Sequence, residues 1–413
     1  MCSRRLVSSQ TRATDLPPLR ANLSPVMTSR VRPHNGPRTL NEVFTRIQLG
    51  PKEAVMRIIG CDLHTRQQTI AMFDTETKEV METTLTHEGE AVREFYSALP
   101  RPAQVGIEAT GAMHWFLQLL EQLGIPCLVG HPAAIRKAET RKQKHDRRDA
   151  ALLLRLQLEK RFPTIHMPTA EQRDMRHLLL HRHQMVSMRS RVQHALQSLA
   201  LSHGLRLGSR LWNRSGEQAL SGLPLAPHTT RRRNTLQRLQ QHLDQQVLQL
   251  DQLVGQQASQ RPASQLLMTH PGVGPVTALA TEVFLGDPRR FASGKALASY
   301  VGMIPSEHSS GGTRQRLGAL SKQGNPFLRF LWVEATLHAV RKDAALRRFY
   351  RRKLLQKGWG KARVAAARKL GIRLWIMLRE QIDYTEFCRR GQQRQSGGAY
   401  AEMPVKEFGP AAT

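Results

Sequence analysis

The fold is decided by residues 54–87, which read AVMRIIGCDLHTRQQTIAMFDTETKEVMETTLTH. Three β-rich runs follow one another in this stretch: AVMRIIGCDL, QTIAMFDT and EVMETTLTH. Apolar and β-branched residues in short runs, bounded by polar turn residues, are typical of strands. The stretch therefore predicts three strands that form a meander.

Helices and strands alternate after this meander. EGEAVREFYSAL and MHWFLQLLEQLG have helical spacing, AQVGIEA and IPCLVG are short buried-strand runs, and a further helix begins near Asp146. The order βββ-α-β-α-β-α is that of the ribonuclease H-like fold, a mixed sheet with helices on both sides. We therefore expect an α/β domain of this kind, and we assign it residues 54–165.

The remaining regions differ in composition. Residues 1–53 are rich in Arg, Ser, Thr and Pro and have no apolar period, which indicates a disordered basic arm. Residues 166–262 are predicted to form long helices joined by a connection over residues 208–233. Residues 263–380 are predicted to form a mostly α-helical C-terminal domain, and residues 381–413 a disordered tail.

Heptad spacing supports the long helices. Leucines and other apolar residues recur every seven positions, at Leu178, Met185, Val192 and Leu199 and again at Leu236, Leu243 and Leu250. Sustained heptads predict a coiled coil, formed either within the chain or between two chains.

The charge of the chain restricts its partners. The formal net charge is +30 over 413 residues, and a protein so basic favours nucleic acid as its partner over a charge kept only for solubility. The four cysteines are too few and too scattered for a disulfide framework or a zinc site. No apolar stretch approaches the length of a membrane span, and the N-terminus lacks the apolar core of a signal peptide. We expect no membrane partner and a cytoplasmic location.

Four carboxylates are predicted to converge. Asp62 closes the first strand, Glu108 closes the fourth, and Asp146 and Asp149 lie three residues apart at a helix start. In a ribonuclease H-like sheet, strands one and four are neighbours and the last helix crosses their ends. Clustered acids repel one another unless cations neutralise them, and Mg²⁺ prefers such oxygen donors, with Mn²⁺ as the alternative. Each acid alone is better explained as a turn, cap or surface residue. Four acids at positions that the fold brings together reverse that preference and predict a metal site for phosphodiester exchange.

Two loops of the C-terminal domain are candidate DNA contacts. In LLMTHPGVGPVTALATEVF, Gly272 and Gly274 lie in a turn typical of a helix–hairpin–helix, where backbone N–H groups can approach a phosphate. An ordinary tight turn between packed helices is the alternative. In the second loop, Ser309 and Ser310 precede two glycines, and a set of basic residues follows: Arg314, Arg316, Lys322 and Arg329. This loop is either a site for an activated serine nucleophile or a basic grip on phosphate.

Six motifs together resemble a known family. GCDLH, GIEATG, KHDRRDA, THPGVGPVTA, YVGMIPSEHSSGG and LSKQGNPFLR occur, between Ile58 and Asp343, in the order found in IS110-type transposases and, among these, in the IS1111-like group. The resemblance implies a RuvC-like domain with a DEDD site formed by Asp62, Glu108, Asp146 and Asp149. It also implies a C-terminal transposase domain whose catalytic serine directly precedes the first glycine, which is Ser310, with Ser309 as the alternative.

The resemblance further implies an activity and its partners. Family members cut and rejoin DNA and are guided by a structured RNA from the mobile element. The heptads, together with the separation of the acids from the serine, predict a homo-oligomer, either a dimer or a tetramer. The resemblance also implies a bacterial protein associated with the nucleoid. The alternative functions are a RuvC-like nuclease or junction resolvase that acts by hydrolysis, and a catalytically silent nucleic-acid-binding protein.

Overall fold

The computed structural model describes residues 56–138, 146–307 and 317–396. The predicted basic arm of residues 1–53 therefore lies outside the described residues. So does the loop that contains Ser309 and Ser310, which we call the serine loop. The chain divides into two compact units between Met167 and Pro168, and each unit is described by itself. None of the helices in the described part is long and apolar enough to cross a membrane.

The first unit is built on one mixed five-stranded sheet. Its strands are β1 (Arg57–Leu63), β2 (Gln67–Asp74), β3 (Val80–Thr86), β4 (Ala103–Glu108) and β5 (Cys127–Gly130). The order across the sheet is β3-β2-β1-β4-β5. β1, β2 and β3 pair antiparallel, whereas β4 runs parallel to β1 and β5 runs parallel to β4. The predicted succession of strands and helices and the predicted neighbourhood of the first and fourth strands are confirmed.

Helices cover both faces of this sheet. They are α1 (Ala91–Ala98), α2 (His114–Gln122), α3 (Pro132–Ala138) and α4 (Asp146–Leu158). Because successive strand residues point to opposite faces, Ile59 and Cys61 pack in one core with α1 and α2. Ile58 packs in the other core with Ala150 and Leu154 of α4.

Helix α4 lies unusually close to β1. A Cβ atom on Gly60 would be 2.2 Å from the carbonyl oxygen of Ala150 and 2.4 Å from the amide nitrogen of Leu154. The side chain of Gln157 donates a hydrogen bond of 2.8 Å to the carbonyl of Ile59. Any side chain at position 60 would therefore push α4 away from the strand.

Two long helices open the second unit, α5 (Ala170–Ser202) and α7 (Pro227–Gln260). They pack against each other within the chain. Ion pairs of 2.8 Å from Arg182 to Asp251 and of 3.3 Å from Arg189 to Asp244 show that they run antiparallel. Several heptad positions face this intramolecular contact and are buried: Val192, Leu199, Leu243 and Leu250.

The predicted connection over residues 208–233 is wrong in its second half. A short 3-10 helix (Gly208–Trp212) and α6 (Arg214–Ser221) occupy its first part, and α7 already begins at Pro227. Proline at a first helical position has a suitable fixed φ and lacks an N–H that would be unsatisfied there. Arg233 is buried in α7 and donates hydrogen bonds of 3.2 and 2.7 Å to the carbonyls of Leu220 and Ser221, which end α6.

The rest of the second unit is mainly helical. Its elements are α8 (Pro262–Met268), α9 (Pro275–Leu285), α10 (Gly294–Tyr300), β6 (Pro305–Glu307), β7 (Leu317–Leu320), α11 (Pro326–Lys342), α12 (Ala344–Lys357), α13 (Trp359–Glu380) and α14 (Tyr384–Ser396), besides a 3-10 turn at Pro288–Arg290. Trp332 is the largest buried side chain of its core. Its indole lies against Gly371 and donates a hydrogen bond of 3.0 Å to Thr281.

The prediction of a disordered tail is wrong for residues 384–396, which form helix α14. Residues 384–396 are helical, because α14 is capped by Asp383 and attached to the core. The amide of Tyr384 donates a hydrogen bond of 3.0 Å to the hydroxyl of Thr269, and Phe387 packs against the main core of the unit.

Candidate metal centre

The end of β1 supplies two candidate ligands. Asp62 lies in the last part of the strand, paired in register with Thr69 of β2, and its side chain is only 14% exposed. His64 follows the strand and starts the turn to β2, where its amide donates a hydrogen bond of 3.0 Å to the carbonyl of Gln67. Residues two apart on an extended chain point to the same side, so the two side chains are directed alike.

Asp146 completes the group from the start of α4. The Nε2 atom of His64 lies 3.2 Å from Oδ2 of Asp62 and 3.5 Å from Oδ1 of Asp146. One ligand atom from each of these three residues lies within 4.8 Å of the other two. The close contact of α4 with Gly60 fixes the helix against the strand that carries Asp62, so the fold itself brings the two carboxylates together.

Glu108 and Asp149 lie outside this close group, on β4 and on α4. Glu108 is the last residue of β4, one position beyond Ile107, which pairs with Cys61 of β1. Asp149 lies in the first turn of α4, about 4.5 Å further along the helix axis than Asp146. The structure thus places all four predicted acids at one end of β1, β4 and α4, and brings Asp62 and Asp146 into direct proximity.

His64 was missed by the sequence analysis. The signal that could have found it is its position in GCDLH, two residues after a strand-end aspartate and therefore on the same side of the chain. Two carboxylates and an imidazole are a donor set that can hold a divalent cation.

The candidate DNA contacts of the second unit differ in solvent exposure and in how closely they pack against the fold. Gly272 has φ +87°, and a Cβ atom there would be 2.4 Å from the amide nitrogen of Ala339, so helix packing alone accounts for this glycine. Gly274 is exposed and caps α9. Lys322 is exposed, whereas Arg329 donates a hydrogen bond of 2.8 Å to the carbonyl of Val301.

The serine loop carries the other four candidate residues of the second unit. Ser309, Ser310, Arg314 and Arg316 lie outside the described residues. The strands that flank the loop are described, and they pair antiparallel, with Glu307 opposite Leu317.

Comparison with known proteins identifies the family through both units. The IS110 DEDD model, described as a transposase, matches residues 59–203 and so covers the metal centre. The model of the transposase IS116/IS110/IS902 family matches residues 264–351. The chain belongs to the IS110-family transposases.

Relatives of this IS110-family transposase carry matching names. A probable family 20 transposase of Pseudomonas aeruginosa is 28% identical over 71% of this chain and 88% of its own length. The transposase for insertion sequence element IS1111A of Coxiella burnetii is 27% identical over 66% of this chain and 77% of its own length. A pilin gene-inverting protein of Moraxella lacunata is 31% identical over 30% of this chain and 40% of its own length. The chain is therefore a transposase, an enzyme that binds and recombines DNA.

Proposed function

We propose that this transposase cuts and rejoins DNA with a metal-bound carboxylate site in its first unit and a serine nucleophile in its second. The observation that carries the proposal is the convergence of Asp62 and Asp146 on His64 at the end of the sheet. Three donor atoms this close fit a divalent cation better than an uncompensated acid pair, because like charges held together raise the free energy of the fold.

The metal in this proposal is Mg²⁺, with Mn²⁺ as the alternative. Asp62, Glu108, Asp146 and Asp149 would hold it, and His64 would add a nitrogen donor. When bound, the cation supplies positive charge to the phosphate oxygens as negative charge builds up on them. The carboxylates would fix the position of the cation, and the close contact of α4 with β1 keeps the spacing of Asp62 and Asp146 constant.

The strand order supports a ribonuclease H-like, RuvC-like assignment for the first unit. An antiparallel meander continued by two parallel strands, with β1 central, is the arrangement that this fold requires.

In the second unit, we propose that Gly272 and Gly274 belong to a helix–hairpin–helix that contacts DNA, together with Arg314, Arg316, Lys322 and Arg329. Gly274 is the better supported of the two glycines, because it is exposed at the N-terminus of an eleven-residue helix.

The proposed nucleophile is Ser310, with Ser309 as the alternative. The hydroxyl gives up its proton, the Oγ–phosphorus bond forms, and the bond from phosphorus to one deoxyribose oxygen breaks and leaves that oxygen protonated. The number of phosphodiester bonds is unchanged, so rejoining needs no external energy source. Described strands flank the segment that contains this serine, with Glu307 paired opposite Leu317.

We further propose that a guide RNA from the mobile element and at least two copies of the chain complete the assembly. The net charge of +30 accommodates several nucleic-acid strands at once. The acids and the serine belong to different units of the chain. That separation is the reason to expect composite sites, in which one copy supplies the metal site and another supplies the serine.

A cleavage assay distinguishes this proposal from hydrolysis. Element-end DNA, flanking RNA and Mg²⁺ are incubated with the protein, the reaction is stopped with denaturant, and protein covalently attached to DNA is quantified. We expect an adduct with the wild type and with Ser309→Ala, the matched control, and none with Ser310→Ala or Asp62→Ala.

The competing function makes the opposite prediction. A hydrolytic RuvC-like nuclease uses water as the nucleophile, so it would leave free cut ends with Ser310→Ala and no adduct with any variant. That result would overturn the serine mechanism and keep the metal site.

A further inference from the structure

We propose that a cavity in the second unit, between the β6–β7 hairpin and helices α12, α13 and α14, binds a segment of single-stranded DNA. The cavity has a volume of about 1040 Å³ and is lined by residues of all four elements. This is at the upper end of the range for small-molecule sites and suits a longer, partly exposed ligand. The inference rests on the proposed function, because it assigns the cavity to the strand that the serine attacks.

The rim of the cavity is positively charged. Arg348, Lys357, Lys361 and Arg368 line it. Within the described ranges, none of these four side chains forms an ion pair with a carboxylate. Among the described residues of the lining, Asp343 is the one acid, and it is buried and paired with Arg373. The ligand that this rim fits is therefore an anion with several charges.

A further lysine shows the same excess of positive charge. The pKa of Lys369 is lowered by its partial burial and by the neighbouring guanidinium groups of Arg373 and Arg352. Its ammonium group lies 4.6 Å from the centre of the Phe349 ring, which also lines the cavity. Cations here outnumber the carboxylates that could neutralise them.

The floor of the cavity is apolar. Phe349, Val364, Ile372 and Phe387 lie there, each partly buried. A basic groove with aromatic side chains is the arrangement by which proteins hold single strands, because phosphates meet the cations and unstacked bases lie on the rings. Duplex DNA presents its phosphates outward with its bases stacked inside, and it would leave this floor uncovered.

The position of the cavity favours DNA as the occupant. Pro305 of β6 and Leu320 of β7 form part of its wall. These strands carry the loop that contains Ser310, so a strand bound in the cavity lies beside the base of the hairpin that presents the proposed nucleophile. The strand that the nucleophile must meet is the DNA strand to be cut.

Fluorescence anisotropy with the full chain tests the inference. The probes are a labelled single-stranded oligodeoxynucleotide, the same sequence as a duplex, and the same sequence as RNA. The test variant is Lys357→Gln/Lys361→Gln. The matched control is Arg231→Gln/Arg232→Gln, which removes two exposed charges from α7, outside the cavity.

We expect the test variant to lose about tenfold or more in affinity for the single-stranded DNA and the control to lose less than twofold. The slope of log affinity against log salt should fall by about 1.4 in the test variant, since each contact of a single strand contributes about 0.7. A 5-iodouracil oligodeoxynucleotide should photo-crosslink to Phe349 or Phe387, as located by mass spectrometry.

Three outcomes would overturn the inference. The two double variants could bind the single strand equally well, the test variant could lose duplex binding to the same extent, or RNA could be the strand whose binding depends on the two lysines. Binding does not require catalysis, so Ser310→Ala should bind the single strand like the wild type. A Ser310→Ala variant that binds the single strand but still forms the covalent adduct would contradict only the serine mechanism. A Lys357→Gln/Lys361→Gln variant that binds the single strand like the wild type would contradict only the cavity.

Discussion

His64 places a nitrogen donor between two carboxylates of the proposed metal centre. Its Nε2 atom lies within 3.5 Å of a carboxylate oxygen on each side, and its side chain is 40% exposed, so a cation can reach it. Imidazole nitrogen binds transition-metal ions more readily than it binds Mg²⁺. His64 should therefore contribute to the choice of metal, while the carboxylates provide most of the charge.

We predict that His64→Ala weakens Mn²⁺ binding by about tenfold and Mg²⁺ binding by less, because only the nitrogen donor is lost. Free Mn²⁺ can be measured by electron paramagnetic resonance, with no DNA present and no turnover. His131→Ala, which removes an exposed imidazole outside the group, is the control. Equal Mn²⁺ affinities in the wild type and His64→Ala would exclude the histidine as a ligand.

Several elements of the second unit meet at one buried charge network. Asp343, at the junction of α11 and α12, accepts a hydrogen bond of 2.8 Å from the amide of Leu346 and is paired with Arg373 of α13. His270, in the turn between α8 and α9, lies 3.8 Å from the same carboxylate and 4.6 Å, ring to ring, from Tyr384 of α14. The network joins helices α11 to α14 to the turn between α8 and α9, so its protonation state affects how these elements hold together.

Burial and the nearby Arg373 guanidinium lower the pKa of His270 to about 4, from an ordinary value of 6.5. The unfolded chain therefore binds a proton at this histidine more readily than the folded chain. Its contribution to stability is complete above pH 6.5 and is lost as the pH falls from 6.5 towards 4. Burial opposes ionisation of Asp343, but the amide of Leu346 and the guanidinium of Arg373 outweigh burial and lower its pKa. The contribution of Asp343 to the stability of the fold is therefore lost only as the pH falls below its usual pKa of 3.8.

We predict that the free energy of unfolding falls by about 2 kcal/mol between pH 7 and pH 5 through His270 alone. His270→Asn should be less stable than the wild type at pH 7, yet should show a smaller loss on going to pH 5. Chemical denaturation at the two pH values measures this. His338→Asn, at an exposed position of α11, should keep the wild-type pH dependence, and a steep loss retained in His270→Asn would contradict the assignment.

At the scale of the whole molecule, the proposed acids and the proposed serine belong to two separate units. We predict that Asp62→Ala and Ser310→Ala, each inactive alone, recover a measurable part of the covalent adduct when mixed and allowed to exchange subunits. The reason is that a mixed assembly can combine an intact metal site from one copy with an intact serine from another. A mixture that stays inactive at every ratio of the two variants would show that one copy supplies both.

The sequence predicts those parts of the structure that depend on local patterns. Short polar turns and alternating apolar residues give the order of strands, and that order makes Asp62 and Asp146 neighbours. Such patterns do not predict His64 as a candidate ligand, because a histidine after a strand more often lies on the surface without a ligand role. They do not predict helix α14 either, since Tyr384 and Phe387 order this polar segment through contacts with distant residues.

The function of single residues is harder to predict than their location. Gly272 suits a phosphate contact by its motif, yet the backbone of α11 already requires a glycine there. The sequence does not predict the cavity of the second unit. Its lysines and arginines have the pattern of ordinary exposed helix residues, and only the packing of the hairpin and three helices brings them around one space.

The antiparallel pair of α5 and α7 also sets a length that can be compared with DNA. At 1.5 Å per residue, the 34 residues of α7 extend for about 51 Å. Duplex DNA rises about 3.4 Å per base pair, so this helix is as long as about 15 base pairs, or roughly one and a half turns of the double helix. A duplex lying alongside would meet the end near α6 and the end near α8 on one side, about one and a half turns apart. Where one end faces the major groove, the other end therefore faces the minor groove.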